Sequence, residues 1–261
     1  MSSPPPHRLD REAEFHNQAF TEDTRASAGK FYSITGASQQ LYYSLISKNP
    51  ASSHALEYGC GRGGYCFELA RRGLFVDAID ISPAGVEIAA QKAQEDELSE
   101  RLRCQIMNAE DMTFPDGHFD VIFGQSILHH LDLNEALREV ARVLKDGGRA
   151  VFFEPLGHNV LINAYRRLTP RMRSEDERPL RIDDLTSFGE FFSEIKIHHF
   201  HLLTLLAIPF WKIPGLFGVL VSFLDGIDRL LFRLLPFLRK QAWIIVVELS
   251  GPRSTALPAS D

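Results

Sequence analysis

Between residues 54 and 155 the chain alternates short apolar runs with longer stretches of helical periodicity. The runs fall at 54–58, 74–82, 103–107, 119–124 and 150–154, and runs this short, bounded by turn residues, predict strands. Helical stretches fill several of the intervals: 65–72 after a glycine turn, a helix opened by Ser82-Pro83, and 134–144 with Glu139 and Arg142 on its polar side. Ser82 suits the N-cap and Pro83 the first helical position, while Gly147-Gly148 ends the third helix and turns into the strand that follows. Strand, helix, strand in repetition implies a parallel sheet with right-handed crossovers.

The flanks follow other patterns. Residues 1–10 are expected to be disordered and 251–261 to form a tail, with a single domain from 11 to 250. Residues 11–50 hold Phe15, Phe20, Phe31, Tyr32, Tyr42 and Tyr43 at loose helical spacing, which predicts a helical cap over one end of the sheet. Phe15, His16 or Tyr32 could instead close over a ligand. Residues 156–192 predict helices at Val160–Leu168 and near Asp183–Phe192, around a charged stretch that is either a solvated loop or a lid. Ile195–Phe200 and Trp243–Leu249 predict two more strands, with an apolar insertion at 207–240 between them. Its first part approaches the ~20 apolar residues that span a bilayer. Pro209, Lys212 and Pro214 interrupt it, so no spanning helix is expected. In its second part, a helix expected over Asp225–Lys240, Asp225, Arg229 and Arg233 recur at i, i+4. They leave Ile227, Leu230, Leu231, Leu234 and Phe237 on a broad apolar face. Such a face has to be covered by the protein's own core, a membrane surface, an acceptor or a second subunit.

Composition narrows the class. With 261 residues, 44% of them hydrophobic, the chain can bury a full core. A formal charge of −6 argues against a nucleic-acid backbone as partner, since phosphate binding is driven by clustered Lys and Arg. Cys60, Cys66 and Cys104 are odd in number and lack C-x-x-C pairing, so neither a disulfide framework nor a zinc site is expected and a reducing, cytosolic setting follows.

The chemistry concentrates in His54-Ala-Leu-Glu-Tyr-Gly-Cys-Gly-Arg-Gly-Gly-Tyr65, where a strand ending in an acid meets a glycine turn and then a helix. Glycine there permits φ > 0 and lets a ligand lie against the backbone. Two frames fit. Gly59, Gly61 and Gly64 spell the dinucleotide fingerprint, whose pyrophosphate sits on the helix N-terminus. Glu57, Gly59, Gly61 and Gly63 form the other frame, and an acid two residues before the first glycine repels a diphosphate but suits an ammonium. Asp80, at the end of the second strand about 20 residues on, stands where an acid binds ribose hydroxyls. Asp77 should point elsewhere in the alternation.

The second frame resembles motif I of the class I S-adenosylmethionine-dependent methyltransferases, among them the type-11 small-molecule enzymes. Three later segments match in order: Asp80 with Ile81, Asn108-Ala109-Glu110 after the third strand, and Phe119-Asp120 opening the fourth strand toward Gln125. The resemblance covers residues 54–155. It implies a Rossmann-like, doubly wound α/β sheet of seven strands, mostly parallel with one antiparallel strand, carrying the helical cap and the apolar insertion. It also implies S-adenosyl-L-methionine as cofactor, with Glu57 toward the methionine end, Gly59, Cys60, Gly61 and Gly63 in the turn, and Asp80 and Ile81 at the ribose. Asn108 and Ala109 would read the adenine, with Glu110 and Gln125 adjoining. From the residues alone, Glu110 and Asp111 are surface charges.

Methyl transfer from a sulfonium is an in-line displacement, in which the enzyme positions the acceptor and, for a hydroxyl, removes a proton. His129 and His130, after the fourth strand, are candidates for the base, and Glu154 at the end of the fifth for acceptor contact. His198, His199 and His201 invite a metal reading, but lack neighbouring acids or cysteines, so none is expected. The apolar insertion suggests an apolar small-molecule acceptor, methylated on oxygen or carbon, with the Asp225–Lys240 helix as pocket wall or membrane contact. A polar metabolite or glycan acceptor with that helix in a homodimer, an NAD-dependent oxidoreductase and a non-catalytic membrane-associated protein remain the alternatives.

Overall fold

The structure is a computed structural model describing residues 7–22, 29–169, 174 and 176–253. The five apolar runs are strands β1 (His54–Tyr58), β2 (Phe75–Asp80), β3 (Leu102–Ile106), β4 (Phe119–Gln125) and β5 (Leu144–Pro155). With β6 (Phe192–Phe200) and β7 (Ile244–Pro252) they form one seven-stranded sheet in the order β3-β2-β1-β4-β5-β7-β6. Only β7 runs antiparallel to its neighbours, β5 and β6, as expected. Strand order reverses between β1 and β4, and a crevice opens at that switch point beyond the carboxyl ends of the strands.

Both faces of the sheet are covered, which is why the central strands read as unbroken apolar runs. Side chains alternate across it: Val121, Phe123, Val151 and Phe153 pack on one face with Tyr42, Ile46 and Leu69, while Leu56, Ile122 and Phe152 pack on the other with Leu137, Val140 and Phe188. The first face is covered by α3 (Gly36–Ile46), α4 (Cys66–Arg71) and α5 (Pro83–Glu95), the second by α6 (Leu133–Val143) and α8 (Asp184–Phe191). Ser82 caps α5 by accepting from the Gly85 amide at 3.1 Å, with Pro83 at the first helical position.

Several boundaries differ from expectation. The helix α1 (Arg8–Glu22) reaches into the stretch expected to be disordered, and β7 takes in the first residues of the expected tail; residues 1–6 and 254–261 lie outside the described residues. The Lys145–Gly148 turn falls within the span of β5, which begins directly after α6 and tolerates a register irregularity against Phe119 and Val121. Between β5 and α8 stands α7 (Val160–Leu168), capped by Asn159.

The apolar insertion departs most. Residues Thr204–Phe210 form a 3-10 segment, α9 runs unbroken from Pro214 to Leu234, and a second 3-10 segment spans Pro236–Gln241. The expected helix start at Asp225 is thus a helix midpoint; of its polar side Arg229 and Arg233 are exposed but Asp225 is buried, as is Asp228, while Leu230, Leu234 and Phe237 of the apolar face are not covered by the protein's own core. The cause is local. Asp228 accepts from the amides of Leu202, Leu203 and Thr204 at 2.9, 2.7 and 3.1 Å and from Thr204 Oγ1 at 2.5 Å, so one carboxylate caps the chain leaving β6. Among the described residues no helix is long and apolar enough to cross a membrane.

Candidate active site

The glycine turn after β1 is built as the spacing requires. Gly59, Gly61 and Gly63 have φ of 75°, 51° and 88°, a region closed to most side chains. The amides of Gly59 and Cys60 both donate to the Ile79 carbonyl, at 2.9 and 2.8 Å, tying the turn to β2. Asp80 then holds it from the side: Oδ2 accepts from the Gly61 amide at 2.7 Å and Oδ1 from the Ser82 amide at 2.8 Å. Burial raises the Asp80 carboxyl above its ordinary pKa, opposed by the Ser82 and Gly61 amides.

Glu57 lies behind this turn rather than on its open side. Its carboxylate accepts from the amides of Gly64, Tyr65 and Cys66 at 3.2, 3.0 and 3.2 Å, so it caps the N-terminus of α4. These are the amides that a pyrophosphate would need in the dinucleotide frame. The protein's own carboxylate fills that anion site, which removes the physical basis of the Gly59, Gly61, Gly64 reading.

Ten of the sequence-derived site residues line the resulting cleft: Gly59, Cys60, Gly61, Gly63, Asp80, Ile81, Asn108, Ala109, Gln125 and His130. Asn108 Oδ1 accepts from the Glu110 amide at 3.0 Å, closing a tight turn that presents Ala109. Tyr58 anchors that turn from the core through its hydroxyl, which donates to the Ala109 carbonyl at 2.6 Å. The Gln125 amide donates to Gln39 Oε1 at 2.8 Å, joining β4 to α3. Ser126, with φ of 55°, bends the chain off the end of β4 and puts Ile127 against the cleft. Glu57, Glu110, His129 and Glu154 do not line it.

Those last three do other work. Glu110 is a largely buried partner of Arg8 rather than a surface charge or a cleft wall, and it also accepts from the Asp132 amide at 2.7 Å. Glu154 is fully buried: Oε1 accepts from the amides of Ile127 and Leu128 at 2.8 and 2.9 Å, and Oε2 lies 2.7 Å from His129 Nδ1. The expectation that Glu154 meets the acceptor is therefore corrected, since both oxygens hold the 3-10 turn Leu128–His130 in place. His129 belongs to that support, and His130 alone of the pair faces the cleft.

The roof is α1, whose Arg8, Glu12, His16 and Phe20 recur at i, i+4 and all line the cleft. Arg8 donates to the His130 carbonyl at 2.8 Å and to Glu110 at 2.5 Å. Phe20 lies so close to the turn that a Cβ on Gly61 would come within 2.8 Å of its ring. Asn17 Oδ1 accepts from Ser82 Oγ at 2.6 Å and from the Ala84 amide at 3.2 Å, fastening the roof to α5. Glu12 is buried with its Oε2 3.0 Å from His130 Nδ1 and 3.4 Å from His16 Nε2, while Ser174 Oγ donates to its Oε1 at 2.5 Å. Burial opposes the Glu12 charge, but contacts with His130, His16 and Ser174 outweigh it and hold the carboxyl well below its usual range. Burial, together with the imidazoles of His129 and His16, lowers His130 to about 4 against the pull of Glu12. His130 is thus neutral near pH 7, with a carboxylate beside one ring nitrogen.

Of the residues expected to close over a ligand, His16 lines the cleft, Phe15 packs on the His16 ring, and Tyr32 packs against Trp243. Glu12 and Phe20 in this role were missed, although their i, i+4 spacing with His16 was there to be found. Two groups could hold a cation: Glu12, His16 and His130, and His129, His130 and Glu177, with donor atoms inside 4.8 Å in each. The strand histidines form no such group among the described residues. His201 turns into the core, its Nε2 2.8 Å from Ser38 Oγ.

Comparison with known proteins agrees with this geometry. Residues 56–152 match the family described as methyltransferase domain. Ajmaline N-methyltransferase of Rauvolfia serpentina is 32% identical over 131 residues, covering 48% of this chain and 42% of that protein. Sterol 4-C-methyltransferase strm-1 of Caenorhabditis elegans is 30% identical over 107 residues, covering 41% of this chain and 32% of that protein. The chain thus spans less than half the length of these two relatives. Geranyl diphosphate C-methyltransferase from Streptomyces coelicolor A3(2), solved with Mg2+, geranyl diphosphate and S-adenosyl-L-homocysteine, has a TM-score of 0.64 at 15% identity, covering 95% of this chain and 99% of that one. At that identity the likeness is one of fold. Sheet order, glycine turn and family match coincide on the same residues, and residues 56–152 carry a methyltransferase domain on a Rossmann-like fold.

Proposed function

We propose that the protein transfers the methyl group of S-adenosyl-L-methionine to oxygen or carbon of an apolar, lipid-like small molecule. The observation that carries the cofactor reading is the Glu57 cap on α4, which leaves a turn suited to a phosphate-free, cationic ligand. Asp80 would accept from the ribose hydroxyls, and Asn108 with Ala109 would meet the adenine edge. Leu9, Phe20, Ile127 and Leu131 in the same cleft support an apolar acceptor.

For a hydroxyl acceptor the oxygen attacks the methyl carbon in line. Bound S-adenosyl-L-methionine would supply the methyl group and keep the carbon–sulfur electron pair on leaving as the thioether, and His130 would take the hydroxyl proton. Glu12 Oε2, 3.0 Å from His130 Nδ1, would favour the tautomer protonated there and leave the other ring nitrogen as base. The free cysteines Cys60, Cys66 and Cys104 support a reducing, cytosolic setting.

A polar acceptor is a second reading, favoured by a cavity beside the histidine pair whose lining includes Arg8, Asp132, Asn134, Asp176, Arg178 and Asp184. Calorimetry with S-adenosylhomocysteine and with NADH tests the cofactor: tight binding of NADH alone would overturn it. Labelled methyl followed from S-adenosylmethionine into a fractionated metabolite extract tests the acceptor, with label confined to water-soluble products excluding the apolar class.

A further inference from the structure

The largest anomaly lies away from the cleft. On α9, Leu216, Val219, Phe223, Leu230 and Leu234 are all exposed, with Val219, Phe223 and Leu234 at 68%, 65% and 64%. At about 100° per residue these positions fall within one narrow stripe along the helix. The opposite side, with Phe217, Val221, Asp228 and Phe232, is the one that packs onto the domain. The flanking 3-10 segments and the turn between them extend the apolar surface through Phe210, Trp211, Ile213, Leu235 and Phe237. Monomeric proteins rarely expose a contiguous surface of this kind without a use for it. The cleft is not that use, because among the described residues none of its lining comes from this segment.

Charge identifies the occupant. Residues 205–241 contain Lys212, Arg229, Arg233, Arg239 and Lys240 against two acids, Asp225 and Asp228. Both acids are buried, Asp225 in an ion pair with Arg229, so the exposed charges of this segment are all positive, in a chain whose formal charge is −6. Trp211 at one end, with Lys212 Nζ 5.5 Å from its ring centre, supplies the amphipathic aromatic and cation that settle at headgroup depth. A second copy of the chain would bring like charges together around the stripe with no acid to meet them. An anionic bilayer surface meets both the apolar stripe and its basic border.

We propose that α9 and its two 3-10 flanks dock the protein on the surface of a membrane rich in anionic phospholipid, lying in the interface and not crossing it. The cofactor cleft is on other residues, so this inference stands or falls apart from the methyltransferase reading.

Flotation of the intact protein with vesicles tests it. Binding to an equal mixture of phosphatidylglycerol and phosphatidylcholine should exceed binding to phosphatidylcholine alone by at least about tenfold and weaken as salt is added. The double variant Val219→Asp, Phe223→Asp should lose about tenfold in vesicle binding, with Tm and S-adenosylhomocysteine affinity unchanged. Should that variant fail to fold, Lys212→Glu with Lys240→Glu reads the same loss through charge alone. Failure of the unaltered protein to float with anionic vesicles would overturn the proposal. So would sedimentation as a dimer that Val219→Asp, Phe223→Asp dissociates, which would give the face to a second copy.

Discussion

Asp80 shapes the glycine turn before any ligand arrives, one oxygen on the Gly61 amide and the other on the Ser82 amide. Asp80→Ala removes hydrogen bonds to a charged group, so calorimetry should find S-adenosylhomocysteine bound about 2–3 kcal/mol more weakly. An unchanged dissociation constant would place the ribose elsewhere. His130 is the residue on which turnover of a hydroxyl acceptor should depend: His130→Ala should lower it about 10²–10⁴-fold while cofactor affinity holds. Because the base must be neutral and His130 sits at about 4, kcat/KM should fall as pH drops through about 4, not near the usual histidine value. His129→Ala should instead register as a lower Tm, since His129 meets Glu154 in the core. Asp80 and the glycines were legible because a backbone geometry dictates their type at a fixed spacing. For Glu57 and Glu154 the sequence marks an acid at a strand end but not its direction: Glu57 turns toward amides of the segment that follows its own strand, and Glu154 toward the turn that follows the neighbouring strand β4.

Elements were found more readily than their orientation. Periodicity marks α9 as amphipathic, yet a helical stripe has two sides, and nothing local says that Asp228 is needed to cap residues 202–204. The end of β6 carries a related case. His201 is fully buried with φ of 64°, one ring nitrogen on Ser38 and the other without a partner. Burial lowers it from 6.5 to about 4. Between those values the unfolded chain binds the proton and the folded protein does not, so stability is lost as pH falls through that window. Glutamine at 201 does not titrate. The unfolding free energy of the wild type relative to His201→Gln, from denaturant titrations at pH 7 and pH 5, should therefore shift by about 2 kcal/mol against the wild type on acidification. An unchanged difference would mean that the ring is accessible to solvent and takes its proton in the folded state.

At the scale of the whole molecule the sheet was legible because alternation of strand and helix admits few topologies, and the resemblance supplied the antiparallel seventh strand. The roof was not, because α1 reaches the cleft by docking from outside the alternating region, through contacts of Arg8 with Glu110 and Arg11 with Asp176 about 100 or more residues away. Those contacts also indicate how the cleft opens. Of the apolar residues in α1, Ala19 is buried and Leu9, Ala13, Phe15 and Phe20 are only half-buried, so the helix is held by less core packing than the helices that cover the sheet. A partly exposed pair such as Arg11 with Asp176 adds only about 0–1 kcal/mol. An element held mainly by polar ties over a ligand cleft belongs to the low-stability end of a domain and can gate access. Deleting residues 1–22 should leave the sheet folded, with circular dichroism intact and Tm lowered by only a few degrees, while S-adenosylhomocysteine dissociates at least about tenfold faster. Hydrogen exchange on the intact protein should show α1 amides protected when ligand is bound and exchanging freely without it, while β1 and β4 stay protected in both states. Equal dissociation rates for the shortened and full chains would rule α1 out as the gate and leave Phe20, Glu12 and His16 as wall residues of a cleft that opens elsewhere.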